Sequence, residues 1–168
     1  MGFSIKSQLG GDSTLLNASG ATNFSYRIEG YDFSNEEIKA INAIDTRTKI
    51  IDRINAIRAK GADLVYDHVD NETFRKNLAM LDGDLAATIA QLLVEQFNTG
   101  ARMFDELANA HSETNPLGFD KEDAEAMYIY KLKHLLTSAA LGMMPSKKWS
   151  GKFDANGGYL VVKKDGEI

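Results

Sequence analysis

Cysteine is absent from the 168 residues, which removes disulfide scaffolds, thiolate zinc sites and cysteine nucleophiles and permits a reducing intracellular setting. Proline is scarce: 2 prolines and 14 glycines are too few for a disordered or fibrous chain. No apolar run approaches the roughly 18 residues of a membrane span, and the first residues lack the basic-then-apolar layout of a signal peptide. A cytoplasmic protein without a membrane partner is expected. What is present fits one soluble domain over residues 1–168, with 43% hydrophobic and 26% charged residues, enough to bury a core without staples.

The formal charge of −5 is unevenly spread. Between Asp105 and Glu125 seven acids face the single Lys121, whereas residues 126–153 hold Lys131, Lys133, Lys147, Lys148 and Lys152 and no acid. A second basic stretch carries Arg47, Lys49, Arg53, Arg58 and Lys60 against Asp45 and Asp52. Such asymmetry permits a polyanion-binding face on an acidic protein, although solvated helix faces cluster charge in the same way.

Local patterns give an order of elements. Phe3 and Ile5 alternate with Ser4 and Lys6 as in a half-buried strand, and Phe24, Tyr26 and Ile28 do so within residues 22–29. Ser34 and Glu37 have capping-box spacing ahead of Ile38, Ile41 and Ile44. Ile50, Ile54 and Ile57 predict a second helix that stops at Gly61. Leu64 to Tyr66 reads as a short strand, and helices are predicted over 72–81, 85–97 ending near Gly100, 103–111 and from a cap at Asp120 to about Met143. The residues from Gly157 to Val162 read as a strand that runs into an Asp165-Gly166 turn of hairpin type, with too little chain left for its second arm. A hairpin cut short, and a strand at residue 3, lead us to expect a fragment of a longer protein. Met80, Met103, Met127, Met143 and Met144 read as core filler.

Most catalytic signatures are missing. His68, His111 and His134 lie in no ligand spacing, and no phosphate-binding or nucleophile-elbow motif is present. Ser4-Ile5-Lys6 remains. On a strand, residues 4 and 6 project from one face. Metal-dependent nucleases use this geometry, with an acid at the first position binding Mg²⁺ and a lysine two residues on positioning the attacking water and offsetting charge on the phosphate. A lysine alternating with buried residues is also an ordinary edge-strand feature.

Two separated blocks give that strand a context. Residues 2–24 (Gly2-Phe3-Ser4-Ile5-Lys6-Ser7-Gln8-Leu9-Gly10, Thr14-Leu15-Leu16-Asn17-Ala18-Ser19, Thr22-Asn23-Phe24) resemble the catalytic-core segment of the HpaII-like type II restriction endonucleases. Residues 139–167, with Pro145-Ser146-Lys147, Trp149 and Gly157-Gly158-Tyr159 to Glu167, resemble the C-terminal part of the same family in the same order. The helical middle, about residues 35 to 120, is similar only loosely. The resemblance implies an α/β (α+β) fold, a restriction-endonuclease-like PD-(D/E)xK core sheet with flanking helices, incomplete here. It also implies Mg²⁺-dependent hydrolysis of duplex DNA, a CCGG-like target and a cognate DNA methyltransferase, and it leaves a homodimer open. Lys6 takes the place of the motif lysine, and Ser4 stands where an acid would bind metal. The metal-binding carboxylates are then expected at Glu29 or upstream of Met1. Ser7, Gln8, Asn17, Ser19, Thr22 and Asn23 are the expected DNA contacts. In this reading the Lys6 strand pairs with the strand at 22–29, and Arg53, Arg58 and Lys147 or Lys148 gather around it. The rival reading is a non-catalytic helical binding or assembly module.

Overall fold

A computed structural model describes residues 4–7, 20–100, 103–154 and 159–162. Strand β1 (Ser4–Ser7) is followed by a single 3₁₀ turn (Gly20–Thr22), β2 (Phe24–Glu29), α1 (Asn35–Asn42), α2 (Lys49–Arg58) and β3 (Asp63–Val69). Four further helices, α3 (Glu72–Leu81), α4 (Leu85–Thr99), α5 (Phe104–Thr114) and α6 (Ala124–Ala140), lead to β4 (Tyr159–Val162).

β2 and β3 form an antiparallel ribbon in which Tyr26 stands opposite Tyr66 and Ile28 opposite Leu64. The register slips between Ser25 and Tyr26, so that Asp67 and His68 both face solvent and Val69 turns inward to 3% exposure. The bulge thus returns the apolar residue to the core face after one extra residue. Gly30 ends β2 at φ 98°, and a Cβ there would lie 2.8 Å from the Gly61 carbonyl oxygen. Only glycine allows the two ends of the ribbon this close approach.

The helices begin and end for local reasons. Ser34 accepts from the Glu37 amide at 3.3 Å while the Glu37 carboxylate accepts from the Ser34 amide at 3.0 Å, the reciprocal cap read from the sequence. Asn71 caps α3 through the Phe74 amide at 3.0 Å. Gly100 closes α4 in the left-handed region, and Asn115 does the same for α5. The long terminal helix starts later than its predicted cap: the Asp120 carbonyl accepts from both Asp123 and Ala124 at 2.9 Å, a separate turn that leaves Ala124 as the first helical residue.

Two apolar clusters sit beneath these elements. Val69, Phe74, Leu78, Leu85, Leu135, Ala139, Met143 and Trp149 form the larger, with Phe24 and Tyr66 packed against it. Leu92, Leu107, Ala108 and Leu132 form the smaller. Helix α6 contributes to both and so ties α3 and α4 to α5. Of the five methionines expected in the core, only Met143 is buried, and Met80, Met103, Met127 and Met144 are exposed; their positions fall on outward faces that the apolar pattern alone did not separate. No single helix among the described residues is long and apolar enough to cross a membrane.

One polar side chain holds the chain beyond α6. Asn77, 1% exposed, donates through Nδ2 to the carbonyls of Met144 (3.0 Å) and Lys147 (2.8 Å) and accepts from the Trp149 amide at 3.0 Å. Removing it takes the partner from three backbone groups, of which the Trp149 amide is buried. We expect Asn77→Ala to lower unfolding free energy by about 2–4 kcal/mol in urea denaturation, and a loss below about 1 kcal/mol would show that the loop holds without it. On the surface, the Lys60 ammonium at 2.7 Å, helped by the Ser34 amide, pulls the Glu37 carboxyl down from 4.5 to about 2. A carboxyl lowered in the folded state stabilises above its unfolded pKa and loses that effect as pH falls from about 4.5 to 2. Stability measured across that window should therefore fall less steeply in Glu37→Gln than in the parent chain.

Candidate functional site

The strand expected at Ser4-Ile5-Lys6 is present, and its partner is β4. The pairing is parallel, with Ser4 beside Tyr159, Ile5 beside Leu160, Lys6 beside Val161 and Ser7 beside Val162. Alternation places positions 4 and 6 on one face of this ladder and 5 and 7 on the other. The expected pairing of β1 with the strand at 22–29 is corrected, because β2 takes β3 as its neighbour. The physical reason lies in side chains: the Phe24 ring packs against Phe74 and Tyr66 while the Tyr26 hydroxyl donates to the Ala90 carbonyl, contacts that the antiparallel ribbon satisfies. The short apolar run of β4, Tyr159-Leu160-Val161-Val162, has the character of a parallel strand rather than of a half-exposed hairpin arm. The expected strand is present, and the Asp165-Gly166 turn of the expected hairpin lies outside the described residues.

The remaining expected site residues are dispersed or not described. Gln8, Asn17 and Ser19 lie outside the described residues. Thr22 closes the 3₁₀ turn, and the exposed Asn23 receives the Asp70 amide on its carbonyl at 3.1 Å. Glu29 stands at the end of β2 opposite Asp63, with its carboxylate 3.2 Å from the Arg27 guanidinium and 54% exposed. No group of three or more Asp, Glu or His among the described residues is arranged to hold a metal ion. A hard divalent cation requires several converging oxygens, and the described residues do not supply them.

The basic stretch at 47–60 is used internally. Arg53 donates to the carbonyls of Asn42 at 2.8 Å and Ile44 at 2.9 Å, which seals the α1–α2 loop. Arg58 binds Asp63 at 2.9 Å and also reaches Asn98, and Lys49 and Lys60 pair with Asp45 and Glu37. Arg58 lines one cavity, and Lys147 and Lys148 line another. Arg53 and Arg58 are thus held by partners of their own.

Sequence spacing gave no sign of the larger cavity, of about 450 Å³, whose walls include Tyr26, Tyr66, Arg58, Gln91, Glu95 and Thr114. Glu95 accepts from Thr114 at 3.2 Å and binds His111 Nδ1 at 3.0 Å. The His111 ring is wholly buried, edge-on to Tyr128 at 4.5 Å between centroids, and its Nε2 has no hydrogen-bond partner among the described residues. Burial, with Tyr66 nearby, pushes the Tyr26 hydroxyl up to about 12 while it donates to Ala90 at 2.6 Å, which keeps it neutral. No pattern of positions 95 and 111 signals this pair, because sixteen residues correspond to no helical or strand repeat across two separate helices.

The β1–β4 ladder joins the two blocks of sequence that resemble one family. The family model for HpaII restriction endonuclease matches residues 1–168. The chain belongs to the HpaII restriction endonuclease family. It is 39% identical over all 168 of its residues to the type II restriction enzyme HpaII of Haemophilus parainfluenzae, and spans 46% of that protein's length. No solved structure gives a significant match. The match to the HpaII family runs through the helical middle as well as the two blocks, and the mixed helices and strands fit an α+β restriction-endonuclease-like architecture.

The ladder that joins the two blocks of this HpaII-family chain has a direct test, since the protein contains no cysteine. The pair Ile5→Cys with Leu160→Cys places thiols on register partners, within reach of a disulfide, whereas Ser4→Cys with Val162→Cys is offset by about 10 Å along the strand. Mild oxidation should cross-link the first pair and leave the second reduced, as read by gel mobility and mass spectrometry; the reverse order would show a different register.

Proposed function

We propose that this chain forms part of a type II restriction endonuclease that hydrolyses phosphodiester bonds in duplex DNA with Mg²⁺, in the cytoplasm and alongside a cognate DNA methyltransferase. The observation that carries the reading is the 39% identity, over every residue of the chain, to a type II restriction enzyme. In the proposal the core is of PD-(D/E)xK type, and Lys6 holds its ammonium against the non-bridging oxygens of the scissile phosphate. Charge grows on those oxygens as water attacks in line, so a fixed cation there favours the transition state over the bound duplex. Ser4, two residues earlier on the same strand, gives its hydroxyl to the same phosphate. The described residues do not make up a Mg²⁺ site; its carboxylates come from outside them, with Glu29 freed from Arg27 as the one described contributor. Ser7, Gln8, Asn17, Ser19, Thr22 and Asn23 contact phosphates or base edges. A CCGG-like target and a homodimer follow from the resemblance alone.

The test uses the protein expressed from its complete gene. With Mg²⁺ it should cut duplex DNA, and Lys6→Ala should slow cutting by about 10²–10³-fold or more while duplex affinity without divalent ions changes little. Cleavage at the parent rate with alanine at position 6 would take Lys6 out of the mechanism. Absence of any cutting, with Mg²⁺ or Mn²⁺, would favour the non-catalytic module instead.

A further inference from the structure

The three lysines between α6 and β4 differ from four other lysines among the described residues. Lys49, Lys60, Lys76 and Lys131 each hold an ion pair with an acid. Lys147, Lys148 and Lys152 are exposed and pair with no described carboxylate. They stand around a cavity of about 220 Å³ walled also by Gly142, Trp149 and Asp154, so three cations face one acid. Lys39, Lys121 and Lys133 also pair with no described acid, but they stand apart, on α1, in the turn before α6 and on α6.

The backbone under the three lysines is held from inside. Asn77 binds the carbonyl of Lys147 itself, Trp149 Nε1 donates to the carbonyl of Lys152 at 2.9 Å, and the Asp154 amide closes the loop on Leu141 at 3.0 Å. Trp149 is anchored in the larger apolar cluster. A mobile solvated tail has no use for such fixing, whereas cations held at set positions lose less entropy on meeting a fixed array of anions. Covalent geometry sets the reach. Asp154 is five residues from Tyr159, the register partner of Ser4, so the loop's end lies within about 18 Å of the β1–β4 ladder. A duplex carries one phosphate charge per roughly 1.7 Å of its axis, and a stretch of that length presents about ten.

We infer that the loop from Leu141 to Asp154 is a phosphate-backbone clamp, in which Lys147, Lys148 and Lys152 grip the same duplex whose scissile phosphate lies at Lys6. The inference rests on the DNA-cleaving reading and adds to it a surface that sets affinity without reading sequence, because ammonium groups bind phosphates alike on every base pair.

Fluorescence anisotropy of a labelled duplex against salt concentration, with the whole protein and no divalent ion, tests it. Lys147→Ala with Lys148→Ala and Lys152→Ala should reduce the slope of log affinity against log salt by about 2–3, near 0.9 for each phosphate no longer neutralised, by the same amount on unrelated sequences. Replacing the three by arginine should restore the slope. Lys39→Ala with Lys121→Ala and Lys133→Ala makes the same charge change away from the loop and should leave it unaltered. A parent slope retained in the loop variant, or an equal fall in the control variant, would overturn the clamp while leaving the nuclease reading intact. A parent protein that binds no duplex would overturn both.

Discussion

The parallel ladder between residues 4–7 and 159–162 is the constraint on which the placing of Lys6 depends. Parallel pairing cannot be made by a tight turn; it requires a long crossover, here almost the entire chain. Closing a loop of about 155 residues costs roughly 4–5 kcal/mol by (3/2)RT ln n. Backbone bonds over four residue pairs return about 1 kcal/mol each, so the ladder forms only when the intervening chain is already folded. The α3, α4 and α6 core and the Asn77 bonds to the loop beyond α6 do that preparatory work. Position 6 then becomes a fixed place rather than a point on a free terminus.

The same need for fixing explains where the charges go. The arginines of α2 look in sequence like part of a basic face, but guanidinium groups suit carbonyls and carboxylates at loop ends. Arg53 and Arg58 are used there. In the loop before β4 it is the carbonyls of Lys147 and Lys152 that are bound, while the ammonium groups of its three lysines pair with no described carboxylate. Charge asymmetry along a sequence therefore points to a polyanion surface only after the internal ties have been subtracted.

Much of the local structure was legible in advance. The Ser34 and Glu37 cap, the bounds of α3 at residues 72–81, the stop at Gly100 and the strand at Ser4 to Lys6 follow from nearest-neighbour chemistry. Strand partners were not legible, because alternation says which side of a strand is apolar but not which other strand will cover it. β2 could satisfy its pattern against β1 or β3, and aromatic packing against Phe74 decides. Asn77 and the Glu95–His111 pair were also invisible: each is defined by partners far away in sequence. Of the proposed site, the lysine strand was readable and the acids that a metal would need were not, since Ser4 occupies the position where the pattern would name one.

The central claim is that this chain serves a sequence-specific DNA-cleaving enzyme, and mapping the ends of its products tests that most directly. The protein from its complete gene, incubated with Mg²⁺ and unmethylated plasmid DNA, should produce breaks whose ends, read by sequencing, share one short sequence at every cut. Intact plasmid, or ends scattered without a common sequence, would contradict it.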